Sequence, residues 1–248
     1  MSTALIAGTP HSNPLYEEVR DEITRGLVSG EWKHGELIPS ESDLAKRFGV
    51  SKGTIRRALD ELVAENILVR RQGRGTFVAT HTRSRTHYHF FHLIGRDGSR
   101  ELPAAELLSY RVIRGADEAC DALDIDRQSK LVSVRNLVKV GGKPVFIDEI
   151  LIPQSLFPGL TESAYANRES TIYALYQSRF NINVIQISER LGAGPAPAEH
   201  AKLLGLRAGS PVLIVDRVAY TYHEKPVELR TSWVNTESYV YHSDLRKN

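Results

Sequence analysis

Residues 37–62, LIPSESDLAKRFGVSKGTIRRALDEL, decide the fold of the first third of this chain. Ser40 stands before a short pattern of Leu44, Ala45 and Phe48 that Gly49 closes, which predicts a helix of about two turns. Ser51 offers a side-chain oxygen to the start of the next helix, where Ile55, Leu59 and Leu62 fall within about 60° of one another at roughly 100° per residue. Upstream, Leu15, Val19, Ile23 and Leu27 recur every fourth residue and Gly30 follows them, predicting a longer helix. Downstream, Ile67 to Arg70 and Thr76 to Val78 are strand-like runs joined by Gln72-Gly73-Arg74-Gly75, whose glycines permit a tight hairpin tip. Three helices followed by a hairpin make a winged helix.

The whole chain has 248 residues, of which 41% are hydrophobic and 25% charged, so it is an ordinary globular composition with room for two domains. No apolar run approaches the roughly 18 residues of a membrane helix, and no charged segment leads into a leader-like apolar stretch. The single cysteine, Cys120, excludes an intrachain disulfide and a cysteine-rich zinc site, and the cytoplasm is the expected compartment. Residues 1–12 lack periodicity and are expected to form a loose arm. The expected division is a winged-helix domain over 13–78, a linker over 79–87 and a second domain over 88–245.

The second domain contains a weak internal repeat. A short helical pattern with Ala119 and Leu123, a strand over 131–140, the pair Gly141-Gly142 and the triplet Lys143-Pro144-Val145 leading into another strand form one copy. Ala201 and Leu204, a strand over 212–220, and Lys225-Pro226-Val227 with its strand form the other. Each copy is a short helix feeding a hairpin, so two of them predict an antiparallel sheet with helices against it, and α+β is the expected class.

The formal net charge is only +2, so the distribution of charge has to carry any argument about partners. Residues 13–80 hold eleven cations and eleven acids, yet Lys46 to Arg57 contain five cations and no acid, and 66–80 contain three cations and no acid. Acid collects instead on the first helix, at Glu17, Glu18, Asp21 and Glu22. A domain so polarised presents one positive face, as duplex phosphates require. On the third helix Gly53, Arg56 and Arg57 lie away from the apolar arc and Lys52 flanks it. Long cationic side chains at the N-terminal end of such a helix reach guanine edges in a major groove. Ser51 and Thr54 offer hydroxyls, and Arg71, Gln72, Gly73 and Arg74 on the hairpin suit the backbone or an adjacent minor groove.

The 37–62 run, closed by Gly73-Arg-Gly-Thr-Phe-Val78, resembles the N-terminal domain of GntR-family bacterial transcription regulators. Beyond residue 88, Ile152-Pro153, Phe157-Pro158-Gly159-Leu160, Leu204-Gly205 with Gly209 and Pro211, and Lys225-Pro226-Val227-Glu228 resemble the UTRA domain of the HutC subfamily, whose fold is that of chorismate lyase. The resemblance implies a ligand-responsive repressor, binding a palindromic DNA operator as a homodimer and released by a small-molecule effector, with no cofactor. It implies operator contacts at Ser40 and Ser42. The family usually carries a basic residue where Ser42 stands and an arginine where Lys52 stands, so an altered operator preference is expected, lysine lacking the fixed fork of arginine. The resemblance also places Thr171, Tyr173, Glu228 and Tyr239 at the effector pocket.

In the strand 131–140, Val132, Val134, Val138 and Val140 share one face with Asn136, and a buried amide there needs a partner from the core or from a ligand. Phosphosugar-responsive relatives place arginines at the positions of Asn136 and Val138, so a non-phosphorylated acid or zwitterion is the expected effector. Asp148 and Arg230 occupy equivalent places in the repeat, each four residues after its triplet's proline. Facing one cavity, they hold a zwitterion or else pair with each other. Arg96 is a further candidate contact. His81, His87, His89 and His92 invite a metal reading, but without a cysteine or carboxylate cluster no metal site is expected. Two rivals remain on the sequence: an enzyme of chorismate-lyase-like fold using Asp148, Glu228 and Arg230, and an architectural DNA-binding protein with a filled apolar interior.

Overall fold

The computed structural model describes residues 14–81 and 92–243. The expected N-terminal arm, most of the expected linker with His87, and the first residues of the expected second domain with His89 lie outside them. Residues 14–81 form α1 (Leu15–Ser29), α2 (Glu41–Phe48), α3 (Lys52–Ala64) and a hairpin of β1 (Leu68–Arg71) and β2 (Gly75–Val78). Ser40 and Ser51 cap α2 and α3 by accepting from the Asp43 and Thr54 amides, while Gly30 and Gly49 end α1 and α2 in the left-handed conformation. The predicted apolar positions meet: Val19, Ile23 and Leu27 pack against Leu44, Phe48, Ile55, Leu59 and Leu62 in one core. Leu37 bridges to Phe77, which ties the α1–α2 connection to the wing.

Gly75 opens β2 at φ +103°, and a Cβ there would stand 2.6 Å from Leu37 Cδ1. Gly75→Ala is therefore expected to destabilise the winged helix by about 1–3 kcal/mol, since strain and contact act together. An unchanged melting temperature would show that the wing adapts.

The second unit is a six-stranded antiparallel sheet in the order β4-β5-β6-β9-β8-β7. Its strands are β4 (Ala104–Arg114), β5 (Lys130–Val140), β6 (Lys143–Pro153), β7 (Gln186–Pro195), β8 (Pro211–Thr221) and β9 (Lys225–Val234). A small sheet of β3 (Leu93–Gly95) and β10 (Tyr239–Tyr241) lies beside it. The repeat is visible as pseudo-symmetry, with α4 (Asp117–Ala122), β5 and β6 answered by α7 (Ala198–Leu203), β8 and β9. Helices and first strands are offset by 81 residues and second strands by 82, because the β5–β6 turn is Gly141-Gly142 whereas Tyr222–Glu224 joins β8 to β9.

Helices α4 and α7 cover one face of the sheet, packing on Leu131, Leu137, Ile147 and Val212. Helices α5 (Glu162–Ala166) and α6 (Ile172–Phe180) cover part of the other, where Tyr165, Tyr173 and Tyr176 pack on Val132, Val134, Ile150 and Ile152.

The two units are in contact through the far end of α6. Gln177 accepts from the His81 amide at 2.8 Å and donates to Ala79 O at 3.2 Å. Asn181 donates to Val28 O and meets His34, and Tyr222, held by Asn183, joins the winged-helix core. Ala79 and His81, expected within the linker, are thus buried and hydrogen-bonded.

Candidate functional site

The cationic face predicted from sequence exists, but its members are not equivalent. Lys52 begins α3 and Arg74 sits at the wing tip, both exposed and with no ion pair among the described residues. Arg71 lies 4.6 Å over the Phe77 ring, which holds its guanidinium at the wing. Arg56 projects from α3 toward α2, where its Nε and Nη2 donate to the Glu41 carboxylate, the closest contact at 2.8 Å. Arg57 turns back to α1, 3.7 Å over the Tyr16 ring, so it stands at the rear of the helix rather than on its leading edge. The Ser40 and Ser51 hydroxyls are engaged as caps, and Thr54 bonds Ser51 at 2.9 Å. Ser42 is half-buried on α2, and Gly53, Gln72 and Gly73 are exposed. Exposed cations on one helix and one hairpin tip can neutralise phosphates on either side of a groove.

In the second unit the same face that carries the β5 valines holds a cavity of about 290 Å³. Its floor comes from β5, β6, β8 and β9 through Asn136, Asp148, Arg217 and Arg230, and its rim includes Arg168, the first turn of α6, and His92 and Tyr241 from the small sheet. Arg230 binds Asp148 at 3.0 Å and Glu228 at 2.8 Å, while Ser232 donates to Asp148 at 2.5 Å. Glu228 is fully buried and also accepts from Tyr173 at 3.2 Å and Tyr176 at 2.7 Å. Burial opposes the charge on Arg230, but Glu228 and Asp148 raise its pKa well above the usual value. Burial, with Glu228 adding to it, pushes the Tyr173 hydroxyl up to about 12, so it acts as a neutral donor.

A second charged group closes one wall. Glu189 takes Arg217 at 2.6 Å, His92 at 3.0 Å and the Tyr241 hydroxyl. Burial opposes ionisation of Glu189, yet the His92 hydrogen bond, the Arg217 charge and Tyr241 bring its carboxyl down to about 2. This cluster fastens the small sheet to the main one.

The cavity therefore brings together Asn136, Asp148, Thr171, Tyr173 and Arg230 from the predicted set. Three of the predictions need correction. Arg96 is exposed and donates to Thr236 O and Glu237 O, which ties the turn after β3 to the chain before β10 and leaves it off the cavity wall. Tyr239 packs with Leu93, Val140 and Val234, while Tyr241, two residues on, lines the cavity. Glu228 lies behind the wall, where it is consumed by Arg230 and two tyrosines. The pairing alternative for Asp148 and Arg230 is the one realised. Sequence reasoning missed Arg168, Glu189 and Arg217. Arg217 was within reach, because the 81-residue offset of the first strands carries Asn136 onto it, and Glu189 stands opposite Arg217 in the β7–β8 register. Nothing in the sequence marks Arg168.

Comparison with known families and proteins follows the same division. Residues 15–78 match the profile described as bacterial regulatory proteins, gntR family, and residues 99–240 match the UTRA domain. The chain is similar to the mannosyl-D-glycerate transport/metabolism system repressor MngR of Escherichia coli, 30% identical over 233 residues, which cover 92% of this chain and 94% of that one. It is similar to the HTH-type transcriptional repressor NagR of Bacillus subtilis, 27% identical over 229 residues, covering 92% and 93%. Among solved structures, the ligand-binding domain of a chain assigned to the GntR-family regulators of Bordetella bronchiseptica superposes with a TM-score of 0.62 at 30% identity, covering 64% of this chain and 99% of that one.

Proposed function

The chain belongs to the GntR family of bacterial regulatory proteins, with a UTRA domain, and is a ligand-responsive DNA-binding transcription regulator rather than an enzyme; from this premise we propose that it represses a catabolic operon as a homodimer. Each winged helix enters one half of a palindromic operator through α3 and its wing, and a small molecule in the UTRA cavity releases the protein. The protein acts in the cytoplasm. Among the described residues no helix is long and apolar enough to cross a membrane.

The observation that carries this reading is the juxtaposition of exposed Lys52 and Arg74 on the winged helix with a charged cavity in the attached unit. The filled apolar interior of a purely architectural protein does not describe such a unit. The cavity is near the lower end of the roughly 300–1,000 Å³ range of small-molecule sites, which suits a metabolite of a few carbons.

Selection of duplexes from a random library by the full chain tests the proposal. Enrichment of an inverted repeat, with light scattering that gives twice the chain mass, is the expected result. Enrichment of a single half-site by a monomer would overturn the dimeric arrangement.

A further inference from the structure

The polar groups around the cavity are unequally satisfied, and this difference specifies what enters it. Among the described residues, the three carboxylates at or behind its wall are spoken for: Asp148 by Arg230 and Ser232, Glu228 by Arg230 and two tyrosines, Glu189 by Arg217, His92 and Tyr241. An incoming ammonium would find no acid to receive it and would face Arg168, Arg217 and Arg230.

Arg230 Nη2 has no hydrogen bond but is ion-paired with Glu228; two further groups are left wanting. Arg168 makes no ion pair among the described residues; its Nη1 donates to Tyr165 O, its Nε is buried with no hydrogen-bond partner, and its guanidinium lies 4.5 Å over the Tyr165 ring. The first turn of α6, through Ser170, Thr171 and Ile172, lines the same end of the cavity and presents the positive end of that helix. Asn136 is 2% exposed, its Nδ2 donates to the Tyr165 hydroxyl at 2.8 Å, and its Oδ1 has no partner. Whichever way this amide is turned, one polar atom is left unpaired, and a hydroxyl serves either orientation because it both donates and accepts. An ammonium serves only one.

We propose that the cavity takes a hydroxylated carboxylate, with its carboxylate between Arg168 and the start of α6 and a hydroxyl at the Asn136–Tyr165 pair. This rests on the reading of the cavity as the effector site and names the chemical class that fills it. One unpaired guanidinium matches the single charge of a carboxylate, whereas a phosphate ester carries about −1.5 to −2 at neutral pH and leaves part of that uncompensated.

The test is thermal shift and calorimetric titration of the full-length chain. The probes are D-glycerate, D-gluconate, D-galactonate and D-glucuronate, set against D-glucose, L-alanine and D-glucose 6-phosphate. At least one hydroxy acid is expected to raise the melting temperature and bind, with D-glucose and L-alanine inert and the phosphate ester weaker. Asn136→Leu and Arg168→Gln should each weaken the bound hydroxy acid by about tenfold or more, the loss of a charge-assisted or buried hydrogen bond. Tighter binding of L-alanine or of the phosphate ester overturns the class, as does silence from every hydroxy acid or binding that both variants leave unchanged. The selected operator separates the two levels of the argument. If L-alanine both binds and releases the DNA, the class falls and the effector site stands. If a hydroxy acid binds through Asn136 and Arg168 without altering DNA affinity, the class stands and the effector role falls.

Discussion

Arg230→Met is expected to cost about 3–5 kcal/mol of folding stability, the penalty of stripping a buried ion pair of one partner. The Arg230 side chain is 13% exposed and its partners Asp148 and Glu228 are 5% and 0% exposed, so neither carboxylate can recover its lost interaction from water. Ser232, Tyr173 and Tyr176 would still donate to them, but neutral hydroxyls replace hydration only in part. Adding Asp148→Asn and Glu228→Gln to Arg230→Met should return much of the loss, because the triple variant buries no charge in that cluster. Urea denaturation monitored by far-UV dichroism reads both steps. A single variant as stable as the parent would mean that water reaches the cluster.

The second large effect concerns the operator. Replacing Lys52, Arg56 and Arg74 together by alanine is expected to lower affinity for the selected duplex on the order of a thousandfold, while Arg56→Ala alone should lower it roughly 10- to 100-fold. The slope of affinity against salt should shrink by about one for each phosphate contact removed, whereas a residue that reads a base changes sequence preference instead. Arg56 requires a further step, since in the free chain it is bound to Glu41 and must exchange that carboxylate for DNA. Glu41→Gln should therefore tighten binding to unrelated duplexes and narrow the gap between operator and bulk DNA. Fluorescence anisotropy at several salt concentrations measures all of these, and an Arg56→Ala chain with parental affinity would remove α3 from the interface.

Local signals in the sequence were enough for the winged helix, because each of its decisions is made within a few residues. Ser40 and Ser51 cap helices whose apolar positions then converge, and the glycines of the wing fall where positive φ is needed. The alternation of Val132, Val134, Val138 and Val140 likewise placed a strand and singled out Asn136 on it. The cavity was less legible because its chemistry depends on pairings between strands far apart in the chain. Asp148 and Arg230 could have held a ligand or each other, and only the β6–β9 register, which sets Ser232 opposite Asp148, resolves the choice. Tyr239 was carried over from a family pattern by position; it shares one face of β10 with Tyr241, and its place along the strand, opposite Gly95 where Tyr241 stands opposite Leu93, leaves it off the cavity. Arg168 escaped altogether, since it follows a helix of five residues whose end no periodicity predicts.

The nine-residue helix α6 meets the cavity at one end, through its cap Thr171 and through Tyr173, and the winged-helix unit at the other, through Gln177. A helix that short moves as a rod, so any free energy exchanged between its two ends must be reciprocal. Whatever factor the bound molecule applies to operator affinity, the operator applies to the molecule. Chain seated on DNA and chain free in solution are then two receptors of different sensitivity for one compound.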